Sequence, residues 1–247
     1  MTAGRPACQT GGVNAASGIG DGLRQRRLYG RRRGRALRAG RRALIATLLP
    51  GLSIRLPEGE PLDPRRLFGA ESGAVWLEIG FGAGEHLIAQ AAARPGAQFI
   101  GCEVFEPGIA RLLGEIEKRD LRNIRIFSDD ARLLVAALAP NSLAGAFILF
   151  PDPWPKERHK KRRIVSSELL DDLAAAMEEG AELRIATDDA DYGEWIAERL
   201  GTHAAFAALA IDDRPADWPR TRYEEKAAAQ GRAARLFRSR RRARAPV

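Results

Sequence analysis

From residue 74 onward, short runs of branched and aromatic apolar residues alternate with longer segments whose apolar positions recur every three or four residues. The runs at 74–79, 98–104, 123–128, 145–150 and 182–186 predict strands, with a weaker one at 205–211. The segments at 85–94, 107–119, 131–138, 166–179 and 190–200 predict helices, and Pro107 suits a first helical position. Short apolar strands separated by helices imply an α/β fold with a mostly parallel sheet and helices on both faces. Ahead of residue 74 the pattern fades. Residues 43–49 predict a short helix before Pro50 and Gly51, and 51–72 read as a Pro- and Gly-rich connection. The organisation expected is a flexible Arg/Gly-rich leader at 1–42, one globular domain at 43–237 and a basic tail at 238–247.

Composition narrows the class. An apolar fraction of 45% over 247 residues supports one sizeable core. No apolar run approaches the roughly 18 residues of a membrane span, so no membrane association is expected. The two cysteines, Cys8 and Cys102, suggest neither a disulfide framework nor a metal site, and they fit a reducing, cytoplasmic location. The leader has no apolar core of a secretory signal, and it lacks the Ser content and amphipathic repeat of a transit peptide.

The net charge of +8 conceals a sharper distribution: residues 1–50, 153–163 and 220–247 carry +10, +5 and +8, leaving −15 for the rest. Placed positive charge of this kind points to a polyanionic partner. For the two ends, solvated Arg/Gly-rich tails explain the charge as well; the internal run is the informative one.

In a doubly wound sheet, ligands bind at the carboxyl ends of the strands, and acids recur at those ends here. The first strand runs into Glu78-Ile79-Gly80-Phe81-Gly82-Ala83-Gly84, a glycine turn directly before a helix. The dinucleotide pattern requires glycine at position 85, where this chain has Glu85. Glu78 beside the turn suits a cationic ligand. Glu103 ends the second strand, where a carboxylate can accept hydrogen bonds from both ribose hydroxyls. Asp130 follows the third strand and either contacts an adenine amino group or caps the next helix.

The most specific stretch is Phe150-Pro151-Asp152-Pro153-Trp154-Pro155-Lys156, followed by Arg158, His159, Lys160, Lys161, Arg162 and Arg163. Asp152 stands between two prolines that fix its backbone before anything binds. Trp154 offers a stacking face, and the bases beyond it can reach phosphates.

With these motifs in order, the chain resembles the bacterial tRNA (guanine-N7)-methyltransferase family over roughly residues 24–237. The resemblance is carried by the EIGFGAG turn, the GCEV strand end, FPDPWPK with RHKKRR, the ATD strand end and a late TRYE. It implies a Rossmann-like S-adenosylmethionine-dependent methyltransferase fold, with S-adenosylmethionine as cofactor and tRNA as partner, and no metal. Carried over position by position, Glu78, Gly80, Glu103, Asp130 and Asp152 border the cofactor, and Asp152 is the active-site aspartate. Lys156, Asp188, Thr221, Arg222, Tyr223 and Glu224 bind substrate, and the run from 158 to 163 contacts RNA. Thr221 and Glu224 also fit a helix capping box. Phe105 and Asp189 depart from the commonest family form, which has His at the first and Trp or Asn at the second.

The chemistry implied is modest. Guanine N7 has an in-plane lone pair and needs no deprotonation, so positioning carries much of the rate. Asp152 would hold the guanine edge and stabilise the positive charge that develops on the base. Among the three histidines, His86 is expected to pack or cap near the cofactor helix. Three other readings share features with this one: a nicotinamide-dependent oxidoreductase, an N7 methyltransferase acting on another RNA, and a non-enzymatic RNA-binding protein. Glu85 and the PDPW loop oppose the first, and the intact acids oppose the last.

Overall fold

The computed structural model describes residues 29–69, 73–211 and 214–243, and the apolar runs become the strands of one sheet. These are β1 (Val75–Ile79), β2 (Gln98–Cys102), β3 (Ile124–Phe127), β4 (Leu143–Leu149), β5 (Met177–Thr187), β6 (Phe206–Leu209) and β7 (Arg235–Arg241). The helices are α1 (Ala39–Thr47), α2 (Leu49–Leu52), α3 (Glu85–Ala93), α4 (Glu106–Arg119), α5 (Ala131–Ala137), α6 (Ser167–Ala176), α7 (Ala190–Thr202) and α8 (Arg222–Ala229). Short 3-10 turns lie at Pro64–Phe68 and Glu157–Arg162.

The strand order is β3-β2-β1-β4-β5-β7-β6. Strands β1 to β5 pair in parallel, and β7 inserts antiparallel between β5 and β6. The chain order reverses between β1 and β4, and the crevice at that switch point is where such sheets bind ligands. Both faces of the sheet are covered. Leu77, Ile100, Ile148 and Ile185 pack with Leu134, Leu170 and Ile196 on one side; Phe99, Ile124 and Ile126 pack with Leu87, Leu112 and Leu113 on the other. Double-sided burial is why these strands read as continuous apolar runs, and each fully buried Leu or Ile contributes about 1.5–3 kcal/mol. No helix among the described residues is long and apolar enough to cross a membrane.

The structure differs from the sequence expectations in several places; α2 runs through Pro50 and Gly51, where the preceding helix was expected to end. Helix α1 begins at Ala39, inside the expected leader, because its apolar residues Leu44 and Ile45 pack beside α4. Residues 177–179 open β5 instead of extending α6, since Met177 pairs with Leu143. Strand β7 was not expected, and it runs through the boundary placed at 237/238. Its arginines masked it. Arg235 pairs with Glu194 and Arg238 with Glu182, at 2.5 Å each, and the buried Arg241 donates to the Ala174 carbonyl at 2.6 Å. Part of the C-terminal positive charge is therefore neutralised within the fold. Cys102 is a buried free thiol; Cys8 and leader residues 1–28 lie outside the described residues.

Candidate active site at the switch point of the sheet

The glycine turn after β1 is built from backbone that side chains disfavour: Gly80, Gly82 and Gly84 have φ of 75°, 56° and 80°. Among the described residues, no atom beyond the flanking residues lies within 4 Å of where a Cβ would stand at Gly80 or Gly82, so the turn borders open space. Glu103, at the end of β2, holds the turn in place. Its Oε2 accepts from the Gly82 amide at 2.8 Å, and its Oε1 accepts from the amides of Val104 at 2.8 Å and Phe105 at 2.9 Å. On the other side Gly108 of α4 presses against the turn, and a Cβ there would stand 2.1 Å from the Gly82 carbonyl oxygen. Gly108→Ala should therefore displace the turn and cost about 1–3 kcal/mol, as overpacking does. Thermal melting and ligand titration of that variant should both report the damage.

A cavity of about 450 Å³ opens over the turn, lined by Gly80, Glu103, Asp130, Asp152, Trp154 and Tyr29 among others. A second hollow of about 370 Å³ shares Gly80, Gly82 and Phe150 with it and adds Glu78, Arg222 and Tyr223. Together they make a cleft along the glycine turn, whose Gly80 and Gly82 line both hollows. Burial raises the Glu103 carboxyl above the ordinary carboxylate range; its three backbone donors oppose that shift, and the charge of Asp152 adds to it.

Glu78, Asp130 and Asp129 are already engaged. Glu78 is buried and its Oε2 lies 2.7 Å from His86 Nδ1, so the histidine expected near the cofactor helix holds this carboxylate. Asp130 caps α5, accepting from the Arg132 amide at 3.0 Å and from Arg132 Nε at 2.9 Å. Its capping role is thus realised at the cavity wall. Its neighbour Asp129 pairs with Arg32 at 2.6 Å. Neither Tyr29, Arg32 nor Asp129 stands out in the sequence; only the doublet of acids at 129–130 hints at the last.

The loop after β4 is locked on both sides of Asp152. Phe150 and Trp154 adopt left-handed φ of 51° and 46°, conformations that cost bulky residues about 1–3 kcal/mol each and concentrate at functional sites. The Phe150 amide is anchored to the Ala186 carbonyl at 2.8 Å. Asp152 is exposed and makes no hydrogen bond or ion pair among the described residues. The Trp154 ring lies under Arg162 at 4.9 Å, and Arg162 also sits 4.7 Å from the Tyr29 ring.

The basic run does not behave as one surface. Lys156, Arg158 and Lys161 are exposed, and His159 sets its ring edge-on to Trp154 at 5.9 Å. Arg162 is part of the cavity wall. Lys160 is held by Glu157 at 2.5 Å and Asp191 at 3.0 Å. Arg163, expected to contact RNA, is buried and ion-paired to Asp191, because the 3-10 turn rotates it inward against α7.

The late motif packs beside the glycine turn. The Arg222 amide donates to Glu85 Oε2 at 3.0 Å, and the Tyr223 ring lies 5.2 Å from that of Phe150. The Tyr223 hydroxyl donates to Asp188 Oδ1 at 3.3 Å, and Asp188 also pairs with Arg232. Thr221 caps α8 by accepting from the Glu224 amide at 3.2 Å. The reciprocal half of a capping box is not formed, since the buried Glu224 carboxylate pairs with Arg214. Asp189 caps α7, accepting from the Tyr192 amide at 2.7 Å, which gives this departure from the family pattern a local role.

Comparison with known proteins agrees with this geometry. Residues 72–236 match a family model described as "Putative methyltransferase". A tRNA (guanine-N(7)-)-methyltransferase of Paramagnetospirillum magneticum is 51% identical over 224 residues, covering 88% of this chain and 94% of that protein. The Rhodospirillum rubrum protein of the same name is 47% identical over 230 residues, covering 89% and 90%. Among solved structures, the 16S rRNA methyltransferase KamB superposes with a TM-score of 0.53 at 15% identity, over 70% of this chain and 90% of that one. The [4+2]-cyclase SpnF superposes with 0.50 at 15%, over 70% and 77%. These two carry different activities on one scaffold, so they establish the Rossmann-like methyltransferase fold and nothing finer. With half-identical relatives matched over nearly their whole length, the chain belongs to the bacterial tRNA (guanine-N7)-methyltransferase family.

Proposed function

We propose that this enzyme transfers the methyl group of S-adenosylmethionine to N7 of a guanosine in tRNA, the variable-loop guanosine being the target. The observation that carries the proposal is the position of Asp152: a carboxylate free of partners among the described residues, on a doubly strained and proline-locked loop, at the rim of the cleft over the glycine turn. The names of the relatives support the base and the RNA.

The cleft suits the cofactor on its own chemistry. Its floor leaves room where side chains would stand at Gly80 and Gly82, and its walls present carboxylates to a cationic ligand. S-adenosylmethionine supplies a methyl group on a positively charged sulfur. Glu103 would accept the ribose hydroxyls with its remaining lone pairs, while Asp130 and Glu78 would border the two ends. Asp152 would accept from the guanine edge and offset the positive charge developing on the base. A hydrogen-bonding partner is what the ring needs; no proton has to leave N7. Tyr223, 49% exposed beside Phe150, gives the base an apolar face, and Asp188, Arg222, Thr221 and Glu224 hold that wall together. The reading is tested by a transcript whose variable-loop guanosine is replaced by adenosine. It should accept no methyl group, whereas full acceptance by that transcript would move the target elsewhere.

Lys156, Arg158 and Lys161 are left to meet phosphates flanking the target. Replacing Arg158 and Lys161 together by Ala should weaken all tRNAs similarly. It should flatten the slope of log affinity against log salt by about 0.7–0.9 for each phosphate no longer neutralised. Filter binding across a salt series reads this directly, and an unchanged slope removes both residues from the RNA surface.

A further inference from the structure

Arg163 closes the basic run in sequence, yet its side chain is 0% exposed. The guanidinium is turned inward on α7, 4.8 Å from the Tyr192 ring and 5.0 Å from the Trp195 ring. Its Nε donates to the Pro153 carbonyl at 2.8 Å, and its Nη2 pairs with Asp191. The following segment is pinned to the same helix. The Val165 amide donates to the Tyr192 hydroxyl at 3.1 Å, and Trp195 Nε1 donates to the Val165 carbonyl at 2.7 Å. Arg163 thus extends a rigid contact with α7 to the loop that bears Asp152.

The loop needs such a hold. Its entry is anchored by the Phe150 amide on the Ala186 carbonyl. On its exit Pro153 has no N–H, so the carbonyl is the backbone group left to fix, and the strained Trp154 follows directly. Asp152 lies between the two anchors with no partner of its own among the described residues. We propose that Arg163 is a positioning residue, holding the Pro153 carbonyl so that Asp152 faces the guanine at the geometry methyl transfer requires. This rests on the reading of Asp152 given above.

The test is steady-state methylation of tRNA by Arg163→Met, Asp152→Asn and the double variant. Methionine keeps the packing against Tyr192 and Trp195 but has no donor for the Pro153 carbonyl. Asp191 keeps Lys160 at 3.0 Å and is half in solvent, so the variant should fold. Its kcat should fall by up to about 10²-fold, the cost of misplacing a catalytic group by about 1 Å. KM for tRNA, the salt slope and cofactor affinity should hold. In the Asp152→Asn background the same substitution should cost far less, because the group it positions is already disabled. Arg163→Lys, which can still donate to one of the two partners, should recover part of kcat, and it takes the place of Met in the cycle if that variant fails to fold. A wild-type kcat for Arg163→Met would make Arg163 a packing residue and overturn the proposal. So would a raised KM with a flattened salt slope and unchanged kcat, which is the signature of a phosphate-binding group. Full multiplicative losses in the double variant would show that Arg163 does not act through Asp152. If Asp152→Asn alone turns over normally, the reading of Asp152 fails and the positioning role falls with it; a failure confined to Arg163 leaves Asp152→Asn defective.

Discussion

Asp152→Asn should lower turnover by about 10²–10³-fold, the usual loss when one preorganised group facing developing charge is removed. The melting temperature should stay near that of the unaltered protein. The two expectations separate because Asp152 supports no other part of the fold: it is exposed and has no hydrogen-bond or ion-pair partner among the described residues. The strain at Phe150 and Trp154 and the two prolines persist in the variant, so the loop keeps its shape. Single-turnover methylation with cofactor and tRNA saturating isolates the step in question. A large fall in melting temperature with activity per folded molecule preserved would make Asp152 structural.

Glu103→Gln should weaken S-adenosylmethionine by about 1.5–3 kcal/mol, roughly tenfold or more in Kd. Glutamine keeps one acceptor oxygen, enough for the Gly82 amide, and loses the acceptor of the Val104 and Phe105 amides together with the charge; Glu103→Ala would remove the acceptor of all three backbone amides at once. The pH dependence follows from the same residue. Burial raises its pKa, and the ionised form is the better acceptor for the ribose hydroxyls. Affinity should therefore be full above the raised pKa and be lost as pH falls through it, at a higher pH than an ordinary carboxylate would give. Calorimetry over a pH series should show this dependence in the unaltered protein and its disappearance in Glu103→Gln. Identical pH profiles for the two would take Glu103 out of the binding site.

Much of this architecture was legible from residue order, for physical reasons. Strands buried on both faces leave uninterrupted apolar runs, so β1 to β4 were placed to within two residues. The glycine turn announces itself because its positive φ angles admit little else, and the PDPW loop because prolines fix the residue between them. What escaped the sequence depends on long-range pairing. The β7 arginines look like a solvated tail until Glu182, Glu194 and the Ala174 carbonyl come from other elements to meet them. Arg163 looks like its neighbours in the basic run until α7 supplies Asp191 and two aromatic rings. Thr221 and Glu224 fit a capping box by spacing, but Arg214, from the loop ahead of the helix, takes the carboxylate.

The chemical identity of the methylated product distinguishes this activity from every other. An unmodified tRNA transcript, incubated with the protein and methyl-labelled S-adenosylmethionine and then digested to nucleosides, should yield its label as 7-methylguanosine in chromatography with mass detection. Label in any other methylated nucleoside, or none in tRNA at saturating cofactor, would rule out guanine-N7 methylation of tRNA as the activity.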